Sequence, residues 1–250
     1  MIDIILIQPP VSFKNKAWEN EIVPDTPHLG LLYLAAAAEK TGLTVKIIDA
    51  TDGSYSLANI LEIIKSNHSK LVGITAMTMN IRGAVQLSKY LKENINDIKI
   101  VLGGPHISAD PTIIKRYPFF DLGLTGEADI TFPLLARRII DGDNDIYGLY
   151  DCEVPFDLDL IPLPSYHLVN FDIYKKRGFW ANAIMASRGC PYHCSFCSIT
   201  SISKKVRFRN PKNIIEEMEQ LYKLTKCKYF NFVDDALTIK KVLFTNFYLK

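Results

Sequence analysis

The stretch LVGITAMTMNIRGAVQLSKYLKENINDIKIVLGGP, residues 71–105, contains the strand–helix–strand pattern that decides the fold. Leu71 to Ala76 is apolar almost throughout, as expected of a strand that is buried on both faces of a sheet. An amphipathic helix is indicated by apolar residues at Ile81, Ala84, Leu87 and Leu91. Ile98 to Leu102 is the next apolar strand. Two strands joined by a helix predict a parallel α/β sheet.

The same alternation of strand and helix extends through residues 1–145. Three further apolar runs predict strands at Ile4 to Ile7, Thr44 to Asp49 and Phe120 to Leu124. Helices are predicted at Leu29 to Lys40, near 57–64, near Pro111 to Arg116 and at Glu127 to Ile140. The fold class predicted for residues 1–145 is therefore an α/β, doubly wound, flavodoxin-like (Rossmann-type) domain with five strands and helices on both faces.

Residues 146–180 interrupt this rhythm with prolines and glycines. They are predicted to be a linker with one small hairpin near Tyr147 to Glu153. The alternation returns in residues 181–250, where Asn182 to Ser187 and Tyr229 to Val233 are predicted strands. Since each β/α unit of a barrel takes on the order of ~30 residues, this segment predicts only the start of a (β/α) barrel.

The composition excludes several classes of protein. Hydrophobic residues make up 48% and charged residues 22%, and the formal net charge is +2, which gives no reason to expect nucleic-acid binding. No uncharged apolar run reaches the ~18 residues that a membrane span needs. There are five cysteines, three of them within eight residues, which favours a reducing, cytoplasmic location and a metal site over a disulfide framework.

The clustered cysteines have the spacing Cys190-x-x-x-Cys194-x-x-Cys197 and follow a predicted strand. Three thiolates in one loop can ligate three irons of a 4Fe–4S cluster and leave the fourth iron open for another ligand. A zinc site that adds His193 or Cys227 to the three thiolates is the alternative. Structural zinc sites more often combine two cysteine pairs, and the second pair is missing here, so we rank zinc behind iron–sulfur.

Two groups of charged residues follow this loop in the sequence, one acidic and one basic. Asp234 and Asp235 end the next strand. They are expected to lie at the same end of the barrel as the cysteine loop, because the active sites of such barrels are at the carboxyl ends of the strands. Four basic residues after the loop are expected on a solvated face, namely Lys204, Lys205, Arg207 and Arg209.

The segment Ser187-Arg-Gly-Cys-Pro-Tyr-His-Cys-Ser-Phe-Cys-Ser198 resembles the signature of radical S-adenosylmethionine (SAM) enzymes, in the form found in their cobalamin-dependent class. The resemblance implies that the three cysteines of this segment ligate a 4Fe–4S cluster whose open iron chelates SAM. It further implies that Phe196 lies near the adenine of SAM and that Asp234 or Asp235 binds its amino group. A carboxylate that faces an ammonium group makes a charge-assisted hydrogen bond.

The domain before the loop resembles the cobalamin-binding domain of the same class. The resemblance rests on Pro9-Pro10, Pro27 to Ala35 and Gly103-Gly104-Pro105-His106. It implies cobalamin contacts from the ends of three strands, at Thr75, Met77, Gly103, Gly104 and Glu127. The run Asp25-Thr-Pro-His28-Leu-Gly30 departs from the Asp-x-His-x-x-Gly pattern of domains that ligate cobalt, so His28 is not assigned as a cobalt ligand.

For function, the resemblance implies an enzyme with three cofactors: a 4Fe–4S cluster, SAM and cobalamin. The implied reaction is reductive cleavage of SAM to a 5′-deoxyadenosyl radical, used for radical C-methylation or for related chemistry like that of anaerobic magnesium-protoporphyrin ester cyclases. The expected partners are a small-molecule substrate and a reducing electron donor such as flavodoxin or ferredoxin. Because the barrel is expected to be incomplete, these 250 residues are expected to be a truncated chain without turnover of its own. A non-catalytic cobalamin-binding module and a zinc-stabilised α/β protein are the alternative functions.

Overall fold

The computed structural model describes residues 1–13, 24–178, 181–203 and 205–239. The predicted features that fall at Lys204 and beyond residue 239 lie outside the described residues. No helix in these ranges is both long enough and apolar enough to cross a membrane.

The first part of the chain forms a six-stranded sheet in which every neighbouring pair is parallel, with the strand order β2-β1-β3-β4-β5-β6. The strands are β1 (Ile4–Gln8), β2 (Val45–Asp49), β3 (Leu71–Thr75), β4 (Lys99–Gly103), β5 (Leu122–Thr125) and β6 (Gly148–Asp151). Every residue of β1, β3 and β5 is buried, because helices cover both faces of the sheet.

Six α-helices accompany this sheet in the part of the chain that the structure describes. They are α1 (Leu29–Lys40), α2 (Leu57–Asn67), α3 (Ile81–Asn94), α4 (Pro105–Ala109), α5 (Ile113–Arg116) and α6 (Thr131–Ile140). One hydrophobic core contains α2 and α3 and a second contains α1 and α6, so the helices divide between the two faces. The predicted α/β, doubly wound class is therefore confirmed. The short helix predicted near Pro111 to Arg116 is α5, whereas α4 was not predicted.

The sheet has one strand more than the sequence predicts. The hairpin predicted near Tyr147 to Glu153 is wrong, because Gly148–Asp151 pairs in parallel with β5 as strand β6. The amide of Gly148 also donates to the carbonyl of Asp121 at 2.8 Å. The first residues of the predicted linker thus belong to the edge of the sheet.

The second part contains one helix before its strands, α7 (Phe171–Lys176), and one after the cysteine loop, α8 (Pro211–Thr225). Its strands are β7 (Asn182–Ile184), β8 (Ser187–Arg188), β9 (Arg207–Phe208) and β10 (Phe230–Phe232). Strands β7 and β10 pair in parallel, as the start of a (β/α) barrel requires, whereas β8 and β9 pair antiparallel. Ile184, Ala186 and Ile214 form the buried centre of this part.

A buried ion pair ties α8 to the first domain. Glu217 on α8 is 0% exposed and pairs with Arg209, which is 4% exposed. The hydroxyl of Tyr166 donates to Oε1 of Glu217 at 2.5 Å, and Arg209 donates to the hydroxyl of Tyr33 on α1 at 3.2 Å. The carboxylate therefore stabilises a contact among α1, the residues before α7, and α8.

Replacement of Glu217 by glutamine is expected to lower the free energy of unfolding by about 3 kcal/mol, because it leaves the buried guanidinium of Arg209 without a compensating charge. Chemical denaturation of the two proteins measures this difference. The matched control is Glu216→Gln on the same helix, since Glu216 forms an exposed pair with Lys212 that contributes less than about 0.5 kcal/mol. Equal losses for the two variants would contradict the stabilising role of the buried pair.

Candidate functional site

A cavity of about 350 Å³ opens at the carboxyl ends of the central strands of the sheet. Side chains or backbone from β1, β3, β4 and β5 line one side of it, including Leu6, Thr75 and Leu124. The other side is lined by residues that flank the cysteine loop before and after it, Arg188 and Ile202 among them. The cavity therefore lies between the two parts of the chain, at the edge where open α/β sheets bind ligands.

Consecutive glycines at the end of β4 shape this cavity in different ways. A methyl group added at Gly103 would meet no other atom within 4 Å, so its backbone faces open space. Gly104 has φ +97°, and a methyl group there would lie 2.7 Å from Oγ1 of Thr75 and 2.9 Å from the backbone of Ala76. Gly103 thus keeps the cavity open, while Gly104 permits the tight turn into α4.

The predicted cobalamin contacts fall into two groups. Thr75, Gly103, Gly104 and Glu127 line the cavity. Met77 is not among the lining residues; it is 43% exposed, and its amide donates to Oδ1 of Asn80 at 2.7 Å. The structure therefore brings together four of the five positions, whose contact with cobalamin stays a prediction.

Glu127 is part of a buried charge cluster in the cavity wall. Arg188 donates to Oε2 of Glu127 at 2.9 Å and to both carboxylate oxygens of Asp129 at 2.6 and 3.0 Å. Arg207 pairs with the other oxygen of Glu127. Burial alone would raise the pKa of Glu127, but the hydrogen bond from Arg207 and the charge of Arg188 outweigh burial and hold that pKa below its ordinary value.

Sequence reasoning missed this cluster and also predicted the wrong environment for two arginines. The expectation that Arg207 and Arg209 lie on a solvated face is wrong, because both guanidinium groups are buried against carboxylates. Arg188 carried one signal, its position next to the cysteine loop, but its acidic partners lie 59 and 61 residues away in sequence. Only the folded chain shows that these charges meet.

The cysteine loop begins directly after β8. Cys190 is half-buried, whereas Cys194 and Cys197 are exposed, and none of the three forms a disulfide. The amide of Cys197 donates to the carbonyl of Cys194 at 3.0 Å, which curls the loop between them. Phe196, predicted to lie near the adenine of SAM, is 91% exposed beside these thiols.

The donor set of this loop fits an iron–sulfur cluster in its chemistry, since three cysteine thiolates are the ligands that such clusters take. Within the ranges that the structure describes, no three His, Cys, Asp or Glu side chains lie close enough together to hold a metal ion. Binding of a cluster would therefore draw the three thiols together, as is common when metal binding is coupled to local folding. The ligand role of the cysteines stays a prediction.

The acidic pair lies beside the start of the cysteine loop, as its place at the end of a strand predicts. Asp234 accepts hydrogen bonds from the amide of Ala186 at 3.1 Å and from the hydroxyl of Ser187 at 2.5 Å. Asp235 accepts one from the amide of Gly189 at 3.0 Å and lines the cavity. Burial raises the pKa of Asp234 above its ordinary value although these donors act in the opposite direction. The binding of SAM by either carboxylate stays a prediction.

His28 has the structural role that its sequence context favours. It caps α1, where its Nδ1 accepts a hydrogen bond from the amide of Leu31 at 3.2 Å. Burial lowers the pKa of His28, which keeps the imidazole in the neutral form that can accept this bond. The residue thus lines the cavity as a helix cap.

The structure thus combines a doubly wound sheet, which has a cavity at its carboxyl edge, with a loop of three cysteines beside an acidic pair. This is the arrangement that the sequence resemblance predicts for a corrinoid-binding domain followed by a radical SAM core. The sequence of residues 19–136 matches the family described as "B12 binding domain". This match includes α1, β3, β4 and β5, which contribute to the wall of the cavity, but not β1 or the residues near the cysteine loop.

Relatives with similar sequences include a methyltransferase and a cyclase. The chain is 32% identical to an uncharacterised methyltransferase of Pyrococcus horikoshii, over 96% of this chain and 55% of that protein. It is 30% identical to the anaerobic magnesium-protoporphyrin IX monomethyl ester cyclase of Rubrivivax gelatinosus, over 91% of this chain and 44% of the cyclase. The chain thus spans about half the length of these curated relatives.

Solved structures share the fold. The radical SAM methyltransferase TsrM of Kitasatospora setae superimposes with a TM-score of 0.73 at 18% identity, over 98% of this chain and 50% of TsrM. The cobalamin-dependent radical SAM enzyme OxsB gives a TM-score of 0.73 at 18% identity, over 94% of this chain and 34% of OxsB.

The chain thus combines a match to the B12 binding domain with sequence similarity to methyltransferases and a cyclase and with the fold of cobalamin-dependent radical SAM enzymes. Solved structures contain cobalamin and a [4Fe-4S] cluster in TsrM, and aqua-cobalamin and S-adenosylmethionine in OxsB. These are the three cofactors that the sequence predicts for this chain.

Proposed function

We propose that this chain binds cobalamin in the cavity and a 4Fe–4S cluster at the cysteine loop, and that it serves radical methylation or a related SAM-dependent radical reaction. The observation that carries the proposal is the position of the cavity. Its walls come from the carboxyl edge of the B12-type sheet and from the residues on both sides of the cysteine loop, so ligands at the two places would be neighbours.

The residues at the two places would have different roles. Cys190, Cys194 and Cys197 hold the cluster, which when bound supplies the electron for reductive cleavage of SAM. Asp234 and Asp235 fix the start of the loop through its amides and keep lone pairs that can accept the ammonium group of SAM.

The apolar part of the cavity wall would exclude water from the neighbourhood of the reacting groups. Leu6, Val101 and Leu124 supply this apolar surface. Exclusion of water protects a reactive radical from side reactions and strengthens the electrostatic contacts around it. This property suits either of the reactions that the relatives carry out.

Methylation of an unactivated carbon and oxidative cyclisation are both compatible with this arrangement, because the relatives include a methyltransferase and a cyclase of similar identity. The substrate is proposed to be a small organic molecule. A low-potential donor such as flavodoxin or ferredoxin is proposed as the partner that reduces the cluster.

Anaerobic reconstitution of the chain with iron, sulfide and hydroxocobalamin tests the proposal. We expect a brown protein whose reduced form gives the electron paramagnetic resonance (EPR) signal of a 4Fe–4S cluster, perturbed by added SAM, together with corrinoid absorption bands. Corrinoid bands without a cluster would favour a binding module, and a colourless protein that contains zinc would overturn the proposal. Cofactor binding is the primary readout, and the formation of 5′-deoxyadenosine is measured alongside it.

A further inference from the structure

Arg188 joins the wall of the cavity to the cysteine loop. It lies two positions before Cys190 in the chain. Its guanidinium donates to both carboxylate oxygens of Asp129 and to one of Glu127, and it lies 5.1 Å above the ring of Tyr33. Both carboxylates belong to the segment between β5 and α6 and line the cavity. One residue thus contacts the cavity wall and continues into the cluster-binding loop.

This connection is rigid. The side chains of Arg188, Glu127 and Asp129 are almost entirely buried, at 12%, 5% and 7% exposure. Separation of such a pair is strongly unfavourable, because it leaves a charge in the interior without a partner. The two parallel hydrogen bonds from a planar guanidinium to Asp129 also fix its orientation. The segment after β5 and the start of the cysteine loop must therefore move together.

The loop beyond Gly189 is far more exposed, since every residue from 191 to 198 is exposed. Cys194 and Cys197 are exposed, and the described thiols are not close enough together for metal binding. Gly189 has φ +90°, and its amide is held by Asp235. Formation of a cluster would gather the thiols about this fixed point and would thereby change the positions of the ligands.

We infer that Arg188 is a positioning residue that couples the two cofactor sites, so that a corrinoid in the cavity and a cluster in the loop each favour binding of the other. Because the segment after β5 and the start of the loop move as one body, a ligand that fixes this segment in the cavity wall also fixes the first turn of the loop. The conformational entropy that is lost when these segments become ordered is then lost only once for the two ligands. Each ligand therefore raises the affinity for the other, which is positive and reciprocal coupling. The inference rests on the proposed function.

The affinity of the reconstituted and the cluster-free chain for hydroxocobalamin tests this coupling in anaerobic titrations. We expect the cluster-loaded chain to bind about tenfold more tightly, which lies in the usual range of coupling between two sites. Arg188→Gln is expected to bring the ratio of the two dissociation constants close to one. Arg188→Lys keeps the positive charge but lacks the planar guanidinium that makes two parallel hydrogen bonds. This variant should therefore show a ratio of dissociation constants between one and that of the unsubstituted protein.

Arg177→Gln is the matched control. Arg177 is buried to the same degree as Arg188 and also pairs with two carboxylates, Asp49 and Asp52, but none of these three residues lines the cavity. This variant should lose stability and keep the tenfold ratio. Asp129→Asn, a neutral isostere on the other side of the pair, should lower the ratio as Arg188→Gln does and serves as the second variant.

The outcomes separate the inference from the function on which it rests. Equal affinities of the two unsubstituted forms would overturn the coupling and leave the proposed function standing. Loss of the ratio in Arg177→Gln as well would show general destabilisation and would also overturn it. Absence of hydroxocobalamin binding in both unsubstituted forms would reject the proposed function itself.

Discussion

Replacement of Cys194 by alanine is expected to abolish the iron–sulfur cluster completely. Cys194 is the middle member of the ligand set and is exposed, so the substitution removes a thiolate without disturbing a packed core. Two remaining thiolates hold too few irons for a stable 4Fe–4S cluster, whose ordinary ligand set is built from cysteines. Iron content, absorption in the visible range and the EPR signal of the reduced protein should all fall to background after reconstitution.

Cys227→Ala provides the control for this substitution. Cys227 lies before β10, where its thiol is 3.7 Å from the carbonyl oxygen of Tyr229, and it is not part of the motif. This variant should reconstitute with full iron content. If it instead lost metal while Cys194→Ala retained it, the assignment of the ligands would be wrong, and a metal site that uses Cys227 would have to replace it.

The doubly wound sheet is predictable from sequence because its central strands leave a strong pattern. Strands such as Leu71–Thr75 are buried on both faces and therefore appear as continuous apolar runs. Strand β6 leaves no such pattern, because Gly148–Asp151 lies at the edge of the sheet, with residues that alternate between half-buried and exposed. Its pairing with β5 depends on the neighbouring strand and cannot be read from four residues.

The strand predicted from Asn182 to Ser187 shows a different limit of sequence reasoning. In the structure it is two strands, β7 and β8, which pair with different partners. The interruption is at Met185 and Ala186, and the amide of Ala186 donates to the carboxylate of Asp234 instead of to a neighbouring strand. A side chain 48 residues away thus ends β7, and local propensity gives no sign of it.

Features of the candidate site are predictable to the extent that they are local. The three cysteines fall within one loop, so their spacing alone indicates the kind of cofactor. The wall of the cavity is assembled from strand ends that are far apart in sequence, and the pairing of Arg188 with Glu127 and Asp129 exists only after folding. Likewise, the resemblance implies that Met77 contacts cobalamin, but Met77 is not among the residues that line the cavity.

The neighbouring glycines at the end of β4 allow the cavity itself to be tested. Gly103→Leu is expected to weaken the binding of hydroxocobalamin about a hundredfold, which corresponds to ~3 kcal/mol of binding free energy. The added side chain projects into open space that lines the cavity, so it competes with the ligand without a clash in the folded protein. The free energy of unfolding should change by less than about 1 kcal/mol, as for substitutions that disturb no packing.

Gly104→Ala should show the opposite pattern, and this contrast makes the pair informative. At φ +97° a side chain strains the backbone, and the new methyl group would meet Thr75 and the backbone of Ala76 at less than 3 Å. Strain and overpacking together should lower the free energy of unfolding by ~3 kcal/mol. Because chemical denaturation and corrinoid titration measure the two effects separately, loss of binding in Gly103→Leu cannot be attributed to unfolding. Unchanged affinity in a folded Gly103→Leu protein would mean that the corrinoid binds elsewhere than in this cavity.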